Sequence, residues 1–133
     1  MILLDTHVLV WFAEDHPSLG LRTTRLTDAA LRRDEVFVAA ISFWEVAMLR
    51  AKARLRMELS PMAFRRKVLE QGVREIALTG AIGVAAAELP AVHDDPADRM
   101  IVATALSLDA RVATADRRIL DWGGRVRAHD ARR

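Results

Sequence analysis

The stretch "ILLDTHVLVWFA", residues 2–13, runs from three apolar residues through one aspartate into a second apolar segment. The short run "ILLD" predicts a buried strand, and "THVLVWFAED" predicts a helix that follows it directly. Because further apolar runs alternate with helices in the same way, the pattern predicts a mostly parallel central sheet with helices on both faces, an α/β fold. These runs are "VFVAAI" (36–41), the weaker "EIAL" (75–78) and "RVAT" (111–114).

The remaining elements are predicted from their start and stop signals. Pro17 begins a second helix that runs to about Arg33, with Leu19, Leu26, Ala30 and Leu31 on its inner side. Ser42 opens a third helix, Ser60 and Pro61 begin a fourth that Gly72 closes, and a later helix covers about 97–108. The pair Gly123-Gly124 provides a turn, after which "RVRA" (125–128) predicts an edge strand.

Composition limits the class of protein. The 133 residues are 52% hydrophobic and include no cysteine. This length suits one domain over 1–133, and the lack of cysteine excludes disulfides and thiolate metal sites, as expected in a reducing cytoplasm. The N-terminal segment lacks the basic leader of a signal peptide and no apolar run reaches ~18 residues, so we expect no membrane association.

Basic side chains are concentrated between residues 50 and 67. Of the 20 Lys and Arg residues 18 are Arg, whose planar guanidinium suits phosphate and carboxylate partners. Seven cations stand there against Glu58 alone: Arg50, Lys52, Arg54, Arg56, Arg65, Arg66 and Lys67. The stretch is a candidate surface for a polyanion such as RNA, and its alternatives are a solvated helix face and a docking face for an acidic protein.

Four acidic residues from distant segments are expected at one edge of the sheet. Asp5 ends the first strand, Glu45 lies in the first turn of the helix after the second strand, and Asp116 follows "RVAT". Asp98 begins a helix after the acidic loop "HDDPAD". The carboxyl ends of parallel strands meet at the edge where α/β proteins bind ligands, so these carboxylates should lie close together.

Each acid also has a purely structural interpretation. Ser42 and Glu45 fit a capping box, and Asp98 and Asp116 suit helix N-termini, whereas Asp5 is a buried acid that needs a partner. Two unit charges ~4 Å apart cost about 4 kcal/mol at an effective dielectric constant of 20, so some acids stay protonated or a cation lies among them. Oxygen ligands favour Mg²⁺ or Mn²⁺, and such ions support phosphodiester hydrolysis. His93 is a candidate soft ligand, with a surface position as its alternative.

The chain resembles the PIN-domain ribonucleases, and specifically the VapC toxins of type II toxin–antitoxin systems. The matching stretches follow the family's order over almost the whole chain: "LLDTHVLVW" (3–11), "ISFWEVAMLRAK" (41–52), "HDDPADRMIVATAL" (93–106) and "VATADRRI" (112–119). The resemblance implies a PIN-like three-layer fold in a single PIN domain. One departure is Ala97, where this branch often has phenylalanine, and it leaves the acids untouched.

The resemblance also implies roles for individual residues. Asp5, Glu45, Asp98 and Asp116 correspond to an acidic quartet that binds Mg²⁺ or Mn²⁺, and Asp95 to a supporting acid. Thr6 and Thr114 resemble the hydroxyl neighbours of those acids. Asp94 is expected to be exposed or a cap. For Arg99 two interpretations stay open, an ion pair with a nearby carboxylate and a contact to substrate phosphate.

The function implied by the resemblance is endoribonuclease activity on structured RNA, by attack of a metal-activated water on a phosphodiester. It also implies a homodimer and a cognate, VapB-like antitoxin that blocks the acidic pocket. The apolar "HVLVWFA" is a candidate partner surface, with full burial in the monomer as its alternative. The rival functions are a catalytically inert docking module and a DNA-directed nuclease. A phosphoacceptor receiver domain would need an acidic pair after the first strand, which "LLDTH" lacks.

Overall fold

The computed structural model describes residues 1–90 and 94–133. Within them the chain forms five strands, β1 (Ile2–Leu4), β2 (Val36–Ala39), β3 (Arg74–Ile76), β4 (Arg111–Thr114) and β5 (Ala128–Asp130). Seven helices accompany these strands: α1 (Thr6–Ala13), α2 (Leu21–Leu31), α3 (Ala40–Ala51), α4 (Pro61–Glu70), α5 (Gly80–Glu88), α6 (Pro96–Leu108) and α7 (Arg117–Leu120).

The strands form one sheet in the order β3-β2-β1-β4-β5. Every neighbouring pair is parallel, and the central strand β1 pairs Leu3 with Phe37 of β2 and with Val112 of β4. All five carboxyl ends therefore lie at the same edge of the sheet. The predicted parallel α/β fold is confirmed.

Side chains of β1 alternate between two cores because successive residues of a strand point to opposite faces. Ile2 and Leu4 pack in one core with residues of α1, α3 and α4. Leu3 packs in the other core with Ile101 and Val102 of α6. Helices cover both faces and give three layers. No helix in the described ranges is both long and apolar enough to cross a membrane.

Helix α1 packs against the first core. Five of its eight residues are buried, and Trp11 and Phe12 are partly buried against the same core. His7 is exposed and Trp11 and Phe12 are only partly buried, so full burial in the monomer does not describe the whole of "HVLVWFA", and its role as a partner surface stays a prediction. The predicted cap of α4 is confirmed, since Ser60 accepts from the Ala63 N–H at 3.2 Å and Pro61 is the first helical residue.

Four predicted boundaries are wrong. Strand β2 ends at Ala39 and α3 begins at Ala40, because the apolar run 36–41 fits a buried helix as well as a strand. Helix α2 begins at Leu21, after Gly20 has packed against residues 131–133. The last strand is 128–130 instead of 125–128, because pairing with β4 fixes its position. Strand β3 covers 74–76 instead of the predicted 75–78.

Candidate active site

The acidic residues lie where strands end and helices begin. Asp5 follows β1 as the N-cap of α1, Asp95 is the N-cap of α6, and Asp116 follows β4 as the N-cap of α7. Asp98 lies in the first turn of α6. Free N–H groups and the positive end of the helix dipole stabilise carboxylates at these positions. Local structure thus directs four acids to the carboxyl edge of the sheet.

These acids, together with Glu45, share one cavity of about 400 Å³. We call it the acid cavity; it is lined by Asp5, Thr6, His7, Trp11, Glu45, Asp95, Asp98, Ala115, Asp116, Arg118 and Arg132. The structure thus brings together all four expected quartet residues and two of the expected supporting residues, Thr6 and Asp95. Asp5 and Asp98 are buried, with 6% and 8% of their surface exposed.

Thr114 links two of the acids. Its buried hydroxyl donates to Asp5 Oδ2 at 2.7 Å and accepts from the Asp116 N–H at 3.0 Å. The other oxygen of the Asp5 carboxylate, Oδ1, accepts from the Thr6 N–H at 2.8 Å. Both Asp5 oxygens are therefore fixed by hydrogen bonds, and one hydroxyl group links the Asp5 side chain to the backbone of Asp116.

Glu45 is held by α1 and not by a capping box. Ser42 is buried inside α3, whose N-cap is Ala39, and Glu45 lies in the second turn instead of the first. Ser42 Oγ lies 3.0 Å from Thr6 Oγ1, and the Thr6 hydroxyl donates to Glu45 Oε1. The predicted capping box is wrong because the N-cap of α3 is Ala39, three residues before Ser42, and this start leaves Glu45 free to line the acid cavity.

Burial and mutual repulsion raise the pKa of three of these acids. Burial raises the pKa of the Asp5 carboxyl, against the lowering effect of its hydrogen bonds to Thr114 and Thr6. Burial, reinforced by the charges of Asp5 and Asp95, also raises the pKa of Glu45. Burial, together with the charges of the other acids in the cavity, raises the pKa of Asp98 to about 8. The cavity therefore favours a bound cation over a full set of ionised carboxylates.

The donor set fits a hard divalent cation. Every acidic ligand offers carboxylate oxygens, which Mg²⁺ and Mn²⁺ prefer. In residues 1–90 and 94–133, no group of three or more His, Asp or Glu side chains is already arranged to hold an ion by itself. Mg²⁺ commonly keeps several waters in proteins and binds through one or two carboxylates together with substrate phosphate.

Two arginines that line the acid cavity were not predicted from the sequence. Arg118 Nη2 lies 3.2 Å from Asp116 Oδ2, and Arg132 Nη1 donates to the Ala115 carbonyl at 2.7 Å. His7 lines the cavity as well. Arg118 could have been predicted, because it lies two residues after Asp116 in the sequence. Arg132 could not, because it reaches the cavity only through the pairing of β5 with β4.

Other candidate residues lie elsewhere. The Arg99 guanidinium donates to carbonyls at the end of α5, including Ala86 at 3.0 Å and Ala87 at 3.2 Å, so among the described residues it caps that helix. The ion pair and the phosphate contact considered for Arg99 both stay predictions. None of the seven cations of 50–67 lines the acid cavity, and Arg65 forms a bidentate pair with Glu75. Asp94 is exposed, and His93 lies outside the described residues.

Comparison with known proteins identifies the family. The PIN domain family model matches residues 2–124. Ribonuclease VapC22 of Mycobacterium tuberculosis (strain ATCC 25618 / H37Rv) is 34% identical over 119 residues, which cover 89% of this chain and 88% of that protein.

Solved structures share the fold at lower identity. VapBC2 from Rickettsia felis, bound to a DNA fragment from its promoter, gives a TM-score of 0.70 at 14% identity, covering 97% of this chain and 98% of that one. A toxin–antitoxin complex from Klebsiella pneumoniae gives 0.57 at 18% identity, covering 87% of each chain. At these identities the likeness concerns the fold alone. Taken with the family model and the curated relative, it leads to one conclusion: this chain belongs to the PIN domain family, in its VapC group.

Proposed function

We propose that this chain is a divalent-metal-dependent endoribonuclease and the toxin of a toxin–antitoxin pair. Its Mg²⁺ or Mn²⁺ would be held by Asp5, Glu45, Asp98 and Asp116, with Asp95 in support. One observation carries the proposal: carboxylates from four distant segments line a single cavity at the carboxyl edge of the sheet. Such crowding is costly without a cation, and burial raises the pKa of three of these acids.

The residues around the acids act by holding them in place. Thr114 fixes Asp5 relative to Asp116, and Thr6 fixes Glu45, so the ligands need little rearrangement when substrate arrives. The burial of Asp5 and Asp98 keeps bulk water away from their carboxylates. A bound Mg²⁺ or Mn²⁺ supplies polarisation of a phosphoryl oxygen and activation of water for in-line displacement.

The substrate and partners follow from family membership. RNA is the proposed substrate because the curated relative is a ribonuclease at 34% identity over most of both chains. A VapB-like antitoxin is the proposed partner, supported by the likeness to a toxin–antitoxin complex. A homodimer is proposed too, and exposed apolar side chains such as Trp44, 55% exposed, and Val84, 59% exposed, are compatible with further protein contacts.

The test is cleavage of total cellular RNA by purified, antitoxin-free protein, with Mn²⁺ or with EDTA. Asp5→Asn removes a buried carboxylate of the cavity with little change of shape, and Asp28→Asn, at an exposed position of α2, is the matched control. We expect discrete fragments that require both metal and Asp5, with Asp28→Asn as active as the unsubstituted chain. Folding of every variant is checked by thermal denaturation.

Three outcomes would contradict the proposal. Cleavage that persists in EDTA would mean that the reaction needs no divalent metal. Full activity of Asp5→Asn would mean that the acid cavity takes no part in the reaction. Folded, metal-loaded protein that cleaves no RNA would favour the inert docking module. A parallel assay on single- and double-stranded DNA addresses the DNA-directed alternative, which gains support if DNA is cut and RNA is not.

A further inference from the structure

Two guanidinium groups, those of Arg118 and Arg132, lie among the carboxylates of the acid cavity. A cavity that holds a divalent cation for phosphodiester cleavage must also accept the negative charge of the neighbouring phosphates in the chain. The acids repel these phosphates, so an additional source of positive charge is needed at the cavity. In the part of the chain that the structure describes, Arg118 and Arg132 are the Lys or Arg side chains that line the cavity.

Arg118 is oriented by Asp116. The Asp116 Oδ1 atom accepts from the Arg118 backbone N–H at 2.8 Å and from its Nε at 3.3 Å, while Oδ2 lies 3.2 Å from Nη2. The side chain is nevertheless 63% exposed. Of its five N–H donors, those of Nη1 make no hydrogen bond to a described residue and remain available to a ligand.

Arg132 is oriented by the last strand. Its backbone N–H donates to Asp130 Oδ1 at 3.0 Å, and its Nη1 donates to the Ala115 carbonyl at 2.7 Å. Ala115 follows β4 directly, so this bond holds the guanidinium at the carboxyl edge of the sheet. Within the described structure the remaining four N–H donors of Arg132 make no hydrogen bond.

The segment that carries Arg132 is itself anchored. The Gly20 N–H donates to the Ala131 carbonyl at 2.8 Å, and the Arg22 N–H donates to the Arg133 carbonyl at 2.9 Å. Residues 131–133 pass so close to Gly20 that a Cβ added there would lie 2.0 Å from Arg133 C. The backbone around Arg132 is therefore fixed on both sides, which lowers the conformational cost of using its side chain for binding.

We propose that Arg118 and Arg132 bind the phosphate groups adjacent to the scissile phosphate of an RNA substrate. The inference rests on the proposed nuclease function and adds a phosphate subsite to it. A planar guanidinium fork forms paired, charge-assisted hydrogen bonds with phosphate oxygens. The basic side chains of 50–67 do not line the cavity, so they are less suited than the two arginines to bind phosphates next to the scissile bond.

The experiment measures RNA binding over a series of salt concentrations. The full-length chain carries Asp5→Asn to prevent cleavage, and the probe is a single-stranded oligoribonucleotide in the presence of Mg²⁺. The variants are Arg118→Ala, Arg118→Lys and Arg132→Ala. The matched control is Arg117→Ala, because Arg117 is next in sequence, 71% exposed and outside the cavity. In the active chain, KM and kcat are measured for the same substitutions.

We expect each alanine variant of the pair to weaken binding about 10- to 100-fold, the usual effect of losing a hydrogen bond to a charged group. The slope of log K against log salt should fall by about 0.7 for each lost phosphate contact. Arg118→Lys should keep the slope and lose part of the affinity, and Arg117→Ala should change neither. Arg132→Ala should raise KM with little change in kcat.

The inference is overturned if the unsubstituted chain cleaves RNA while Arg118→Ala and Arg132→Ala keep the affinity and slope of Arg117→Ala; the nuclease function then stands. If the unsubstituted chain neither binds nor cleaves RNA, the proposed function fails first, and the inference fails with it. Should Arg118→Ala lose stability because Asp116 loses an ion pair, Arg132→Ala tests the inference independently, since in the described structure Arg132 forms no hydrogen bond or ion pair with an acid of the quartet.

Discussion

The acid cavity makes a quantitative prediction about the pH dependence of stability in metal-free protein. The pKa of Asp98 rises from 3.8 to about 8 on folding, mainly through burial and then through the charges of neighbouring acids. Between these two values the folded state binds the proton more tightly than the unfolded state does. The free energy of unfolding therefore decreases as the pH rises, by about 1.4 kcal/mol per pH unit for one such group.

The size of the loss in stability follows from the pH interval. From pH 5 to pH 8 a single group with these pKa values would cost about 4 kcal/mol of stability. Asp5 and Glu45, whose pKa values are also raised, titrate together with Asp98 and share the repulsion, so we assign roughly 2–4 kcal/mol to Asp98 itself. For a chain of this size that corresponds to a decrease in Tm of about 6–12 °C.

Asp98→Asn tests this reasoning because the amide has nearly the same shape and cannot ionise. Stability is measured by thermal and urea denaturation in EDTA, at pH 5 and at pH 8. Between these two pH values the free energy of unfolding of the unsubstituted chain should fall by roughly 2–4 kcal/mol more than that of Asp98→Asn. At pH 8 the variant should be the more stable of the two. Asp94→Asn is the control, since Asp94 is exposed and four positions away, and it should follow the unsubstituted chain. Identical pH dependence in all three proteins would refute the argument.

Four further results are expected. Titration with Mg²⁺ should raise Tm more at pH 8 than at pH 5, where Asp98 is protonated; an unchanged Tm at pH 8 contradicts the cation site. Asp116→Asn should abolish RNA cleavage while far-UV circular dichroism stays unchanged, and retained activity would remove Asp116 from the mechanism. Thr114→Val should lower the free energy of unfolding by about 1–3 kcal/mol, because the buried Asp5 oxygen and the Asp116 N–H lose a partner, and Thr114→Ser should recover most of it. Gly20→Ala should cost about 1–3 kcal/mol or more in urea denaturation, since its methyl group meets the Arg133 backbone, and a neutral effect would contradict that packing.

Local sequence patterns account for the class of fold and for the positions of most acids. The buried strands ILL, VFVA and VAT read as continuous apolar runs, as parallel strands covered on both faces do. Asp5, Asp95 and Asp116 are N-caps, and a cap depends on a few neighbouring residues. Because such signals act over one or two turns of chain, they can be read without knowing the rest of the molecule.

Boundaries and contacts between distant segments could not be read in that way. The run 36–41 is apolar throughout, so its sequence could not reveal that the helix begins at Ala40 and that Ser42 lies inside it. The sequence around Arg99 gave no sign that its guanidinium donates to carbonyls at the end of α5. In each case the partner is supplied by another element, whose position the local sequence does not specify.

The sequence by itself therefore determined an α/β chain with carboxylates at the ends of its strands. Tertiary structure alone decided which other groups share their cavity: Thr114 reaches Asp5 across 109 positions of the chain, and Thr6 meets Glu45 across 39. Arg132 joins them because β5 pairs with β4. The physical reason is that helix and strand signals arise from neighbouring residues, whereas a site is assembled by the order of strands in the sheet, which depends on the packing of the whole chain.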